Sequence, residues 1–421
     1  MESRPSDSLP KAPAAQRVVI TGLGIISSIG IGVDEFSSGL RAGLSGAKPI
    51  TAFDTEGFAH AKGCEITDFD PKPLIRHLPP DSLGRASQFS VAAARMAVED
   101  AGLDPATLRA QRGLVSVGTT DGESYDLERL VGAELAEGPA SMEPAVAARL
   151  RASRVSVSVA REFELADVEA VTVPTACAAG NYAIGNGFDA IRAGEVDFAL
   201  CGGADAMCRK TFTAFYRLGT IAPEVCAPFD VDRSGILTGE GAGILVLESL
   251  ESALRRGARI YAEVLGYGLN CDAHHPVAPH QESVADCMRL ALEDAGVKPS
   301  EVDFISAHGT GTRANDVTEA RAIRDVYGES PPRTVSVKSM LGHTMGAASA
   351  LAAIGCVLAI TRGFIPPTIN HRTTDPDCGI DCVPNEAVEA TPRIVQNNGL
   401  AFGGNNAVVM LSRYEDAGVA R

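Results

Sequence analysis

The sequence predicts an α/β protein built from two similar halves. Short apolar stretches typical of buried strands alternate with stretches of helical periodicity along the chain. Residues 95–105 (RMAVEDAGLDP) recur at 289–299 (RLALEDAGVKP), and seven of the eleven positions are identical. Each copy is typical of the end of an amphipathic helix that is closed by Gly and followed by Pro. An internal repeat of this kind indicates a duplicated fold.

The segments that follow the two copies also correspond. GLVSVGTT at 113–120 and VDFISAHGT at 302–310 are both apolar strands that end in Gly and Thr. Further along, the strands VTVPT at 171–175 and VSVKS at 335–339 each lead into a helix of small residues. Strands that alternate with helices in both copies predict largely buried sheets packed between layers of helices.

The composition predicts a large folded protein of the cytoplasm. The 421-residue chain has 37 Lys and Arg against 53 Asp and Glu, and its net charge of −16 argues against nucleic acids and membrane surfaces as partners. Its ten cysteines are spread along the chain without a CxxC pair, which favours reduced thiols. Residues 1–16 are polar and rich in proline, lack the apolar core of a signal peptide, and are predicted to form a disordered tail.

Two stretches suggest functions that their details argue against. The first strand, at 18–21, runs into glycines at 22, 24 and 30, but this spacing matches neither GxGxxG nor GxxxxGK[ST], so nucleotide binding is not expected. The uncharged stretch 344–361 is long enough to span a membrane, but it consists mainly of Ala, Gly, Ser and Thr. We therefore expect it to be a helix inside the protein.

Side chains capable of catalysis follow several of the predicted strands. Ligands in α/β folds bind beyond the carboxyl ends of strands, and Cys177, His308 and His343 stand at such ends, as does Thr119. A cysteine at the start of a helix lies at the positive end of the helix dipole, which favours the thiolate, although a buried structural cysteine is the alternative. With Lys338 five residues before His343, the set suggests thiol chemistry supported by proton transfer or oxyanion stabilisation.

A loop rich in histidine and a stretch rich in glycine each allow two interpretations. One loop, CDAHHPVAPH, collects a cysteine and three histidines, but their spacing matches no zinc motif, so a metal site is not expected. These residues are Cys271, His274, His275 and His280. The glycine-rich stretch 399–411 is interpreted either as a mobile loop that lets Phe402 swing or as a plain turn with a core Phe.

Taken together, the motifs resemble those of the β-ketoacyl synthases of the thiolase superfamily that elongate acyl chains on acyl carrier protein. The matching stretches follow the family's order and cover about residues 17–413. They are VVITGLGIISSIG, PTACAAGNYAIG, APFDVDRSGILTGEGAGILVLE, RGARIYAEVLGYG, AHGTGTRANDVTEA, VKSMLGHTMGAAS, PPTIN and AFGGNNA. The resemblance implies a thiolase fold, in which duplicated halves form a five-layered α-β-α-β-α core. It also implies an N-terminal half at 17–265 that carries the nucleophile, a C-terminal half at 266–413 that carries the histidines and a gating loop, and a tail at 414–421.

The resemblance implies roles for individual residues. Cys177 corresponds to the nucleophile that accepts the acyl group, and His308 and His343 correspond to the histidines that promote decarboxylation of a malonyl thioester. Lys338 resembles the lysine that organises the charge around them, and Glu319 resembles the buried carboxylate that supports this network. The other implied residues are Phe402, a gate whose backbone amide joins that of Cys177 in an oxyanion hole, and Thr310 and Thr312, which bind the pantetheine arm.

These roles imply a decarboxylative Claisen condensation of malonyl-acyl carrier protein with an acyl chain held on the cysteine, in fatty acid or polyene-type polyketide synthesis. Decarboxylation drives bond formation, so no metal or organic cofactor is expected. The resemblance further implies acyl carrier protein as a partner and a dimer, either of two identical chains or with a chain-length-factor-like subunit. A non-condensing paralogue that binds acyl carriers, or an acyl-thioester hydrolase, is the alternative function on the same fold.

The sequence departs from the family's pattern at the gate and in the implied acyl pocket. Leu400 and Ala401 replace Phe and Gly beside Phe402, and Asp121 stands near a position at which an apolar residue usually lines the acyl pocket. A carboxylate there would favour short, polar or unsaturated chains, because it is costly to bury against saturated hydrocarbon.

An acidic carrier protein would require a local basic patch on this acidic chain. Scattered solvated charges are the alternative. The candidates for the patch are Arg209, Lys210 and Arg217, with Arg76 and Arg85 as further members.

Overall fold

The structure, a computed structural model, describes residues 15–415. The terminal tails predicted at 1–16 and 414–421 lie, apart from residues 15–16 and 414–415, outside the described residues. Along the described chain, strands and helices alternate as the sequence predicts.

The strands and helices have the following bounds. The strands are β1 (Val18–Ser27), β2 (Gly30–Ile31), β3 (Lys48–Pro49), β4 (Lys62–Cys64), β5 (Gly113–Gly118), β6 (Val168–Val173), β7 (Phe198–Asp205), β8 (Thr238–Gly239), β9 (Gly241–Ser249), β10 (Ala262–Cys271), β11 (Phe304–Ser306), β12 (Arg333–Val335), β13 (Phe364–Ile365), β14 (Val388–Glu389), β15 (Ile394–Leu400) and β16 (Asn405–Ser412). The α-helices are α1 (Val33–Ala42), α2 (Arg85–Asp100), α3 (Pro105–Arg109), α4 (Ser124–Glu137), α5 (Pro144–Ala147), α6 (Arg154–Glu162), α7 (Ala179–Arg192), α8 (Arg209–Arg217), α9 (Leu250–Arg255), α10 (Gln281–Ala295), α11 (Arg313–Tyr327), α12 (Lys338–Leu341) and α13 (Ala348–Arg362). Short 3-10 helices lie at Pro80–Ser82, Pro139–Ser141, Ala176–Ala178, Pro299–Glu301 and Met345–Ala347.

The main sheet consists of two halves with the same strand order. The order is β1-β9-β7-β5-β6 in the first half and β10-β16-β15-β11-β12 in the second. In the order given, the first two pairings of each half are antiparallel. The last two are parallel, so β7, β5 and β6 run in one direction, as do β15, β11 and β12. A short antiparallel pairing of β1 with β10 joins the halves. The duplicated α/β architecture is therefore confirmed.

Helices on both faces of each half complete five layers. The outer face of the first half is covered by α2 and α6, and that of the second by α10 and α11. Between the two halves lie α7 and α13, which contact strands of both. The central apolar core joins side chains from both halves. The α-β-α-β-α order is thus confirmed, whereas the boundary expected between residues 265 and 266 falls inside β10 and stays a prediction.

The internal repeat marks equivalent helices. Residues 95–105 close α2 and residues 289–299 close α10, and these helices pack against the first strand of each half. Gly102 and Gly296 both have φ of +64°, a left-handed conformation that suits glycine after a helix. The repeated sequence therefore reflects a repeated structural unit.

The turns that enter α7 and α13 are equivalent and strained. A 3-10 turn precedes each helix, and its first residue has positive φ, +50° at Ala176 and +51° at Met345. This conformation is costly for a residue with a Cβ and is typical of functional sites. The two turns contact each other between the halves, so they define one place at which both halves meet.

The uncharged stretch near residue 350 forms a core helix. By length and composition Met345–Arg362 could cross a membrane, but 89% of it is buried inside the protein. Its helix, α13, packs between the two half-sheets. The expectation of a helix inside the protein is confirmed.

The glycines of β1 allow a helix to approach the strand closely. A Cβ at Gly24 would lie 1.8 Å from the carbonyl oxygen of Ala93, and one at Gly22 would lie 2.1 Å from that of Ala97. Both carbonyls belong to α2. Helix packing thus accounts for two of the three glycines that suggested a nucleotide loop, those at 22 and 24.

We expect Gly24→Ala to lower the free energy of unfolding by more than about 2 kcal/mol, because the added methyl group forces strand and helix apart. Gly132→Ala is the matched control, since a Cβ at this helical position would meet no atom of residues 15–415 within 4 Å apart from those of its chain neighbours and its own helix backbone. It should leave the free energy of unfolding unchanged or raise it by about 0.5–1 kcal/mol. Denaturant unfolding measures both values, and equal stability of the two variants would contradict the close packing of β1 on α2.

Candidate active site

Three turns bring the predicted nucleophile and both histidines together. Cys177 lies in the 3-10 turn before α7, His308 follows β11, and His343 lies between α12 and the turn that enters α13. The sulfur and one nitrogen of each imidazole lie within 4.8 Å of one another, and the two rings are 5.5 Å apart in an edge-to-face arrangement. All three side chains are buried. The first half therefore contributes the sulfur, and the second contributes both imidazoles.

Cys177 is a buried thiol rather than a stabilised thiolate. Burial raises the pKa of the Cys177 thiol to about 12. Lys338 and the backbone amides of Phe402 and of Cys177 itself lower the pKa, but they do not offset the burial. The expectation that the helix start favours the thiolate is therefore wrong for the free enzyme, because the loss of solvation outweighs the nearby positive charge and N–H groups.

Both imidazoles are held in the neutral form. Burial holds the pKa of His308 well below its usual 6.5, and Lys338 and then His343 lower it further. Burial and Lys338 likewise hold the pKa of His343 well below 6.5. The Nδ1 atom of His343 accepts the backbone N–H of Met345 at 3.1 Å, which places the ring proton on Nε2. A neutral ring with this fixed N–H can donate a hydrogen bond to a developing negative charge.

Lys338 and Glu319 form a buried layer behind His308. The Nζ atom of Lys338 donates to the carbonyl oxygen of His308 at 2.6 Å. Glu319 accepts the backbone N–H of His308 at 2.7 Å and that of Gly309 at 2.8 Å. Burial lowers the pKa of Lys338, while Glu319 acts in the opposite direction. The two residues therefore fix the backbone of His308 and compensate each other's burial.

Phe402 lies on the turn that joins β15 to β16. Gly403 and Gly404 in this turn have φ of +86° and +85°, a region that favours glycine. The ring of Phe402 is 36% exposed and lies 5.4 Å from the ring of Phe215. A partly exposed ring on a glycine turn is consistent with a gate and argues against a core Phe, while the role itself stays a prediction.

The three reactive side chains line one cavity of about 600 Å³, part of which is open to solvent. Thr310 and Thr312 line it too, and their hydroxyl oxygens are 2.8 Å apart. The remaining lining is largely apolar and includes Phe215, Ile236, Val277 and Leu400. A narrow, mainly apolar cavity with two hydroxyls suits a flexible arm that carries few polar groups.

Asp121 does not line this cavity. Its carboxylate forms an ion pair with Lys210, at 2.5 Å from Nζ, and accepts the hydroxyl of Thr211. Both partners belong to α8. The sequence led us to expect an unpaired carboxylate beside an acyl chain on Cys177. In the structure the charge of Asp121 is instead compensated by Lys210.

The expected basic patch is only partly available to a partner. Lys210 pairs with Asp121, and Arg209 donates to the carbonyl oxygen of Asp54 at 2.9 Å. Arg217, at the end of α8, is exposed and has no ion pair among residues 15–415. The further candidates are both paired within the chain, Arg76 with Glu99 and Arg85 with Glu240.

Sequence reasoning missed three residues that help to build the site. Asn398 donates to Glu319 at 3.0 Å, and Asp205 accepts the N–H of Gly346 at 2.6 Å. Both are polar residues within buried strands, a signal that could have revealed them. Phe215, whose ring lies 6.3 Å from that of His343, carries no such signal.

The loop with three histidines packs against the Phe402 turn. Gly403 donates its N–H to the carbonyl oxygen of Pro276 at 2.9 Å. Within residues 15–415, the side chains close enough together to hold a metal ion are not those of this loop. They are Cys177, His308 and His343. The Lys338 ammonium beside them disfavours a second cation, and the expected absence of a metal stays a prediction.

Two family profiles match most of the chain. "Beta-ketoacyl synthase, N-terminal domain" matches residues 15–253, and "Beta-ketoacyl synthase, C-terminal domain" matches residues 261–372. A 3-oxoacyl-[acyl-carrier-protein] synthase 2 of Synechocystis sp. is 36% identical over 411 residues, which are 95% of this chain and 99% of that protein. Nodulation protein E of Rhizobium sp. (strain N33) is 40% identical over 413 residues, 94% of this chain and 98% of that protein.

Solved structures are similar over nearly the whole fold. The ishigamide ketosynthase/chain length factor has a TM-score of 0.95 and 65% identity, over 96% of this chain and 100% of that chain. A type II PKS acyl-carrier protein complex with its ketosynthase bound to the hexaketide gives a TM-score of 0.88 and 31% identity, over 95% of this chain and 100% of that chain. The thiolase fold implied by the sequence motifs is thus confirmed. The two family profiles, the relatives of nearly full length and the shared architecture place this chain in the β-ketoacyl synthase family, as an acyltransferase whose condensation reaction serves fatty acid or polyketide synthesis.

Proposed function

We propose that the chain condenses a malonyl thioester, with loss of CO2, onto an acyl group held on Cys177. The observation that carries this proposal is the meeting of one thiol and two neutral imidazoles within 4.8 Å in a single cavity. The thiol can hold a covalent acyl group, and the imidazoles can stabilise an enolate. A non-condensing paralogue or a hydrolase would not require this complete set.

In the first half-reaction Cys177 takes the acyl group from a carrier thioester. The thiol is protonated in the free enzyme, because burial raises its pKa to about 12, so it loses its proton as the sulfur attacks. This proton is transferred to the departing carrier thiolate as the acyl group moves, so neither imidazole has to act as a base in this step. The acyl–sulfur bond moves from carrier to enzyme, and both imidazoles end the step neutral.

In the second half-reaction the imidazoles promote the loss of CO2. Cleavage of the malonyl carboxylate leaves its electron pair in an enolate, with negative charge on the thioester oxygen. Hydrogen bonds from neutral His308 and His343 stabilise that oxygen without protonating the carbon that must attack. The positive charge of Lys338, which lies behind His308, adds to the stabilisation.

The enolate carbon then attacks the acyl carbonyl on Cys177. The backbone amides of Cys177 and Phe402 act on the sulfur strongly enough to lower its pKa, and so they stand close to the carbonyl oxygen of an attached acyl group. They can stabilise the oxyanion of the tetrahedral intermediate. Its collapse breaks the carbon–sulfur bond, and the Cys177 thiolate that leaves takes up one proton from solvent water to regenerate the thiol. The glycine turn around Phe402 lets the ring open and close the cavity between the two half-reactions.

A carrier protein is the proposed source of both thioesters. The name of the Synechocystis relative and the ketosynthase complex with an acyl-carrier protein support this partner. The hydroxyls of Thr310 and Thr312, which face the cavity as a pair, would bind the amides of the pantetheine arm.

A second subunit is also proposed, either an identical chain or a chain-length-factor-like one. The 65% identity to the ishigamide ketosynthase/chain length factor favours the second arrangement and polyketide synthesis. One face of α4 exposes Leu127, Val131 and Leu135, an apolar stripe that a partner subunit would cover. Free cysteines throughout the described chain support the proposed cytoplasmic location.

We expect the two half-reactions to separate by mutation. Cys177→Ala should abolish the acyl adduct but keep CO2 release from malonyl carrier, because the imidazoles remain. His308→Ala should lower CO2 release about 100-fold or more while the thiol still takes up an acyl group. Intact mass and CO2 evolution measure the two steps, and Cys287→Ala, a buried cysteine outside the cavity, is the control. Loss of both steps in both variants would refute the division of roles.

We also expect Arg217 to assist docking of the carrier. Arg217 follows the cavity-lining Phe215 by two residues and is exposed, so it can meet an acidic partner at the entrance. Arg217→Glu should raise KM for malonyl carrier about threefold to tenfold at low salt, with little change in kcat. KM for malonyl-pantetheine, which lacks the carrier protein, should stay the same.

Arg255→Glu provides the control for this charge reversal, because Arg255 is also exposed but lies on α9, where it pairs with its helical neighbour Glu251. An equal change of KM in the two variants, or an effect on malonyl-pantetheine, would argue against a docking contact at Arg217.

A further inference from the structure

Asp205, at the end of β7, carries a buried carboxylate that the proposed mechanism does not use. Its Oδ1 accepts the Thr119 hydroxyl at 2.5 Å and the Asp121 N–H at 3.0 Å. Its Oδ2 accepts the Thr120 N–H at 2.7 Å and the Gly346 N–H at 2.6 Å. The side chain has no exposed surface. A carboxylate that binds this many donors orders the segments from which they come.

The bond to Gly346 connects Asp205 to His343. Gly346 lies in the strained turn that starts at Met345, and the N–H of Met345 is the donor to Nδ1 of His343. A Cβ at Gly346 would lie 2.4 Å from the backbone of Thr119, so the turn packs tightly against the loop that Asp205 also binds. Asp205 therefore binds the same turn that carries the Met345 N–H, the donor that determines the ring tautomer.

The duplication gives Asp205 a counterpart in the other half. β5 and β11 occupy the same place in their half-sheets, and their last residues pair with equivalent neighbours. The backbone amides at 120–121, after β5, are therefore equivalent to those at 308–309, after β11. Asp205 binds the first pair and Glu319 binds the second. In each half, a buried carboxylate thus binds the equivalent pair of backbone amides, although Asp205 lies on a strand and Glu319 on a helix.

We propose that Asp205 is a positioning residue of the active site, which holds the turn after His343 so that the ring keeps its Nε2–H free for the malonyl thioester. Glu319 fixes one imidazole through the backbone of that histidine, and Asp205 fixes the other through the following turn. The inference rests on the proposed role of His343 in decarboxylation.

Asp205→Asn tests the proposal with little change in side-chain size. One oxygen becomes an NH2 group that faces two donors, so two hydrogen bonds are lost. We expect CO2 release from malonyl carrier to fall about tenfold or more, because small displacements of a catalytic group are costly. Acylation of Cys177, followed by intact mass, should change less than about threefold. Nitrogen NMR of the His343 ring should show that the single Nε2–H tautomer is lost.

A matched control and a second variant keep the test decisive. Asp100→Asn alters a carboxylate that accepts the Leu23 N–H and the Tyr261 hydroxyl, both at 2.9 Å, and should affect neither step. Thr119→Val removes only the hydroxyl donor to Asp205, and it should show the same selectivity with a loss of about threefold in CO2 release.

Equal loss of both steps, or loss of neither, in folded Asp205→Asn or Thr119→Val would overturn the inference. A native protein that neither takes up an acyl group nor releases CO2 would instead refute the proposed function, so the two failures are distinguishable.

Discussion

The burial of the Lys338 ammonium beside two uncharged imidazoles is the constraint on which the site depends. A buried cation needs compensation, which Glu319 and the carbonyl oxygen of His308 provide. The loss of solvent, and after it the charge of Lys338, lowers the pKa of both rings and keeps them neutral. Neutral rings suit the proposed chemistry, since a charged ring would protonate the enolate carbon before it could attack. The same burial keeps Cys177 a thiol until a substrate arrives.

The duplicated fold explains why the reactive groups meet. The turns at Ala176–Ala178 and Met345–Ala347 are equivalent, strained and in contact. One turn carries Cys177, the proposed nucleophile, and the other follows His343 and supplies the N–H that fixes its tautomer. The hairpin β15–β16, whose turn carries Phe402, belongs to the second half but reaches the cysteine of the first. The site therefore exists only where both halves pack around α7 and α13.

The sequence predicted what depends on local pattern. The repeat at 95–105 and 289–299 indicated the duplication, and the strand-to-helix contexts of Cys177 and His343 indicated reactive residues at strand ends. The sequence-based predictions were wrong where the property depends on burial and on contacts between distant segments. The helix start favoured a thiolate at Cys177, but solvent exclusion raises the pKa to about 12. The partner of Asp121 lies on α8, and no local pattern indicates which helix packs there.

The proposed chemistry requires that the rings of His308 and His343 are uncharged in the free enzyme. Nitrogen NMR of histidine-labelled protein can follow the rings of His308 and His343 as the pH falls from 8 through 6.5, with assignment by single His→Gln variants. The expected result is that both rings stay neutral across this range and that His343 keeps its proton on Nε2, because burial and Lys338 hold both pKa values well below 6.5. Uptake of a proton by either ring near pH 6.5 would contradict it.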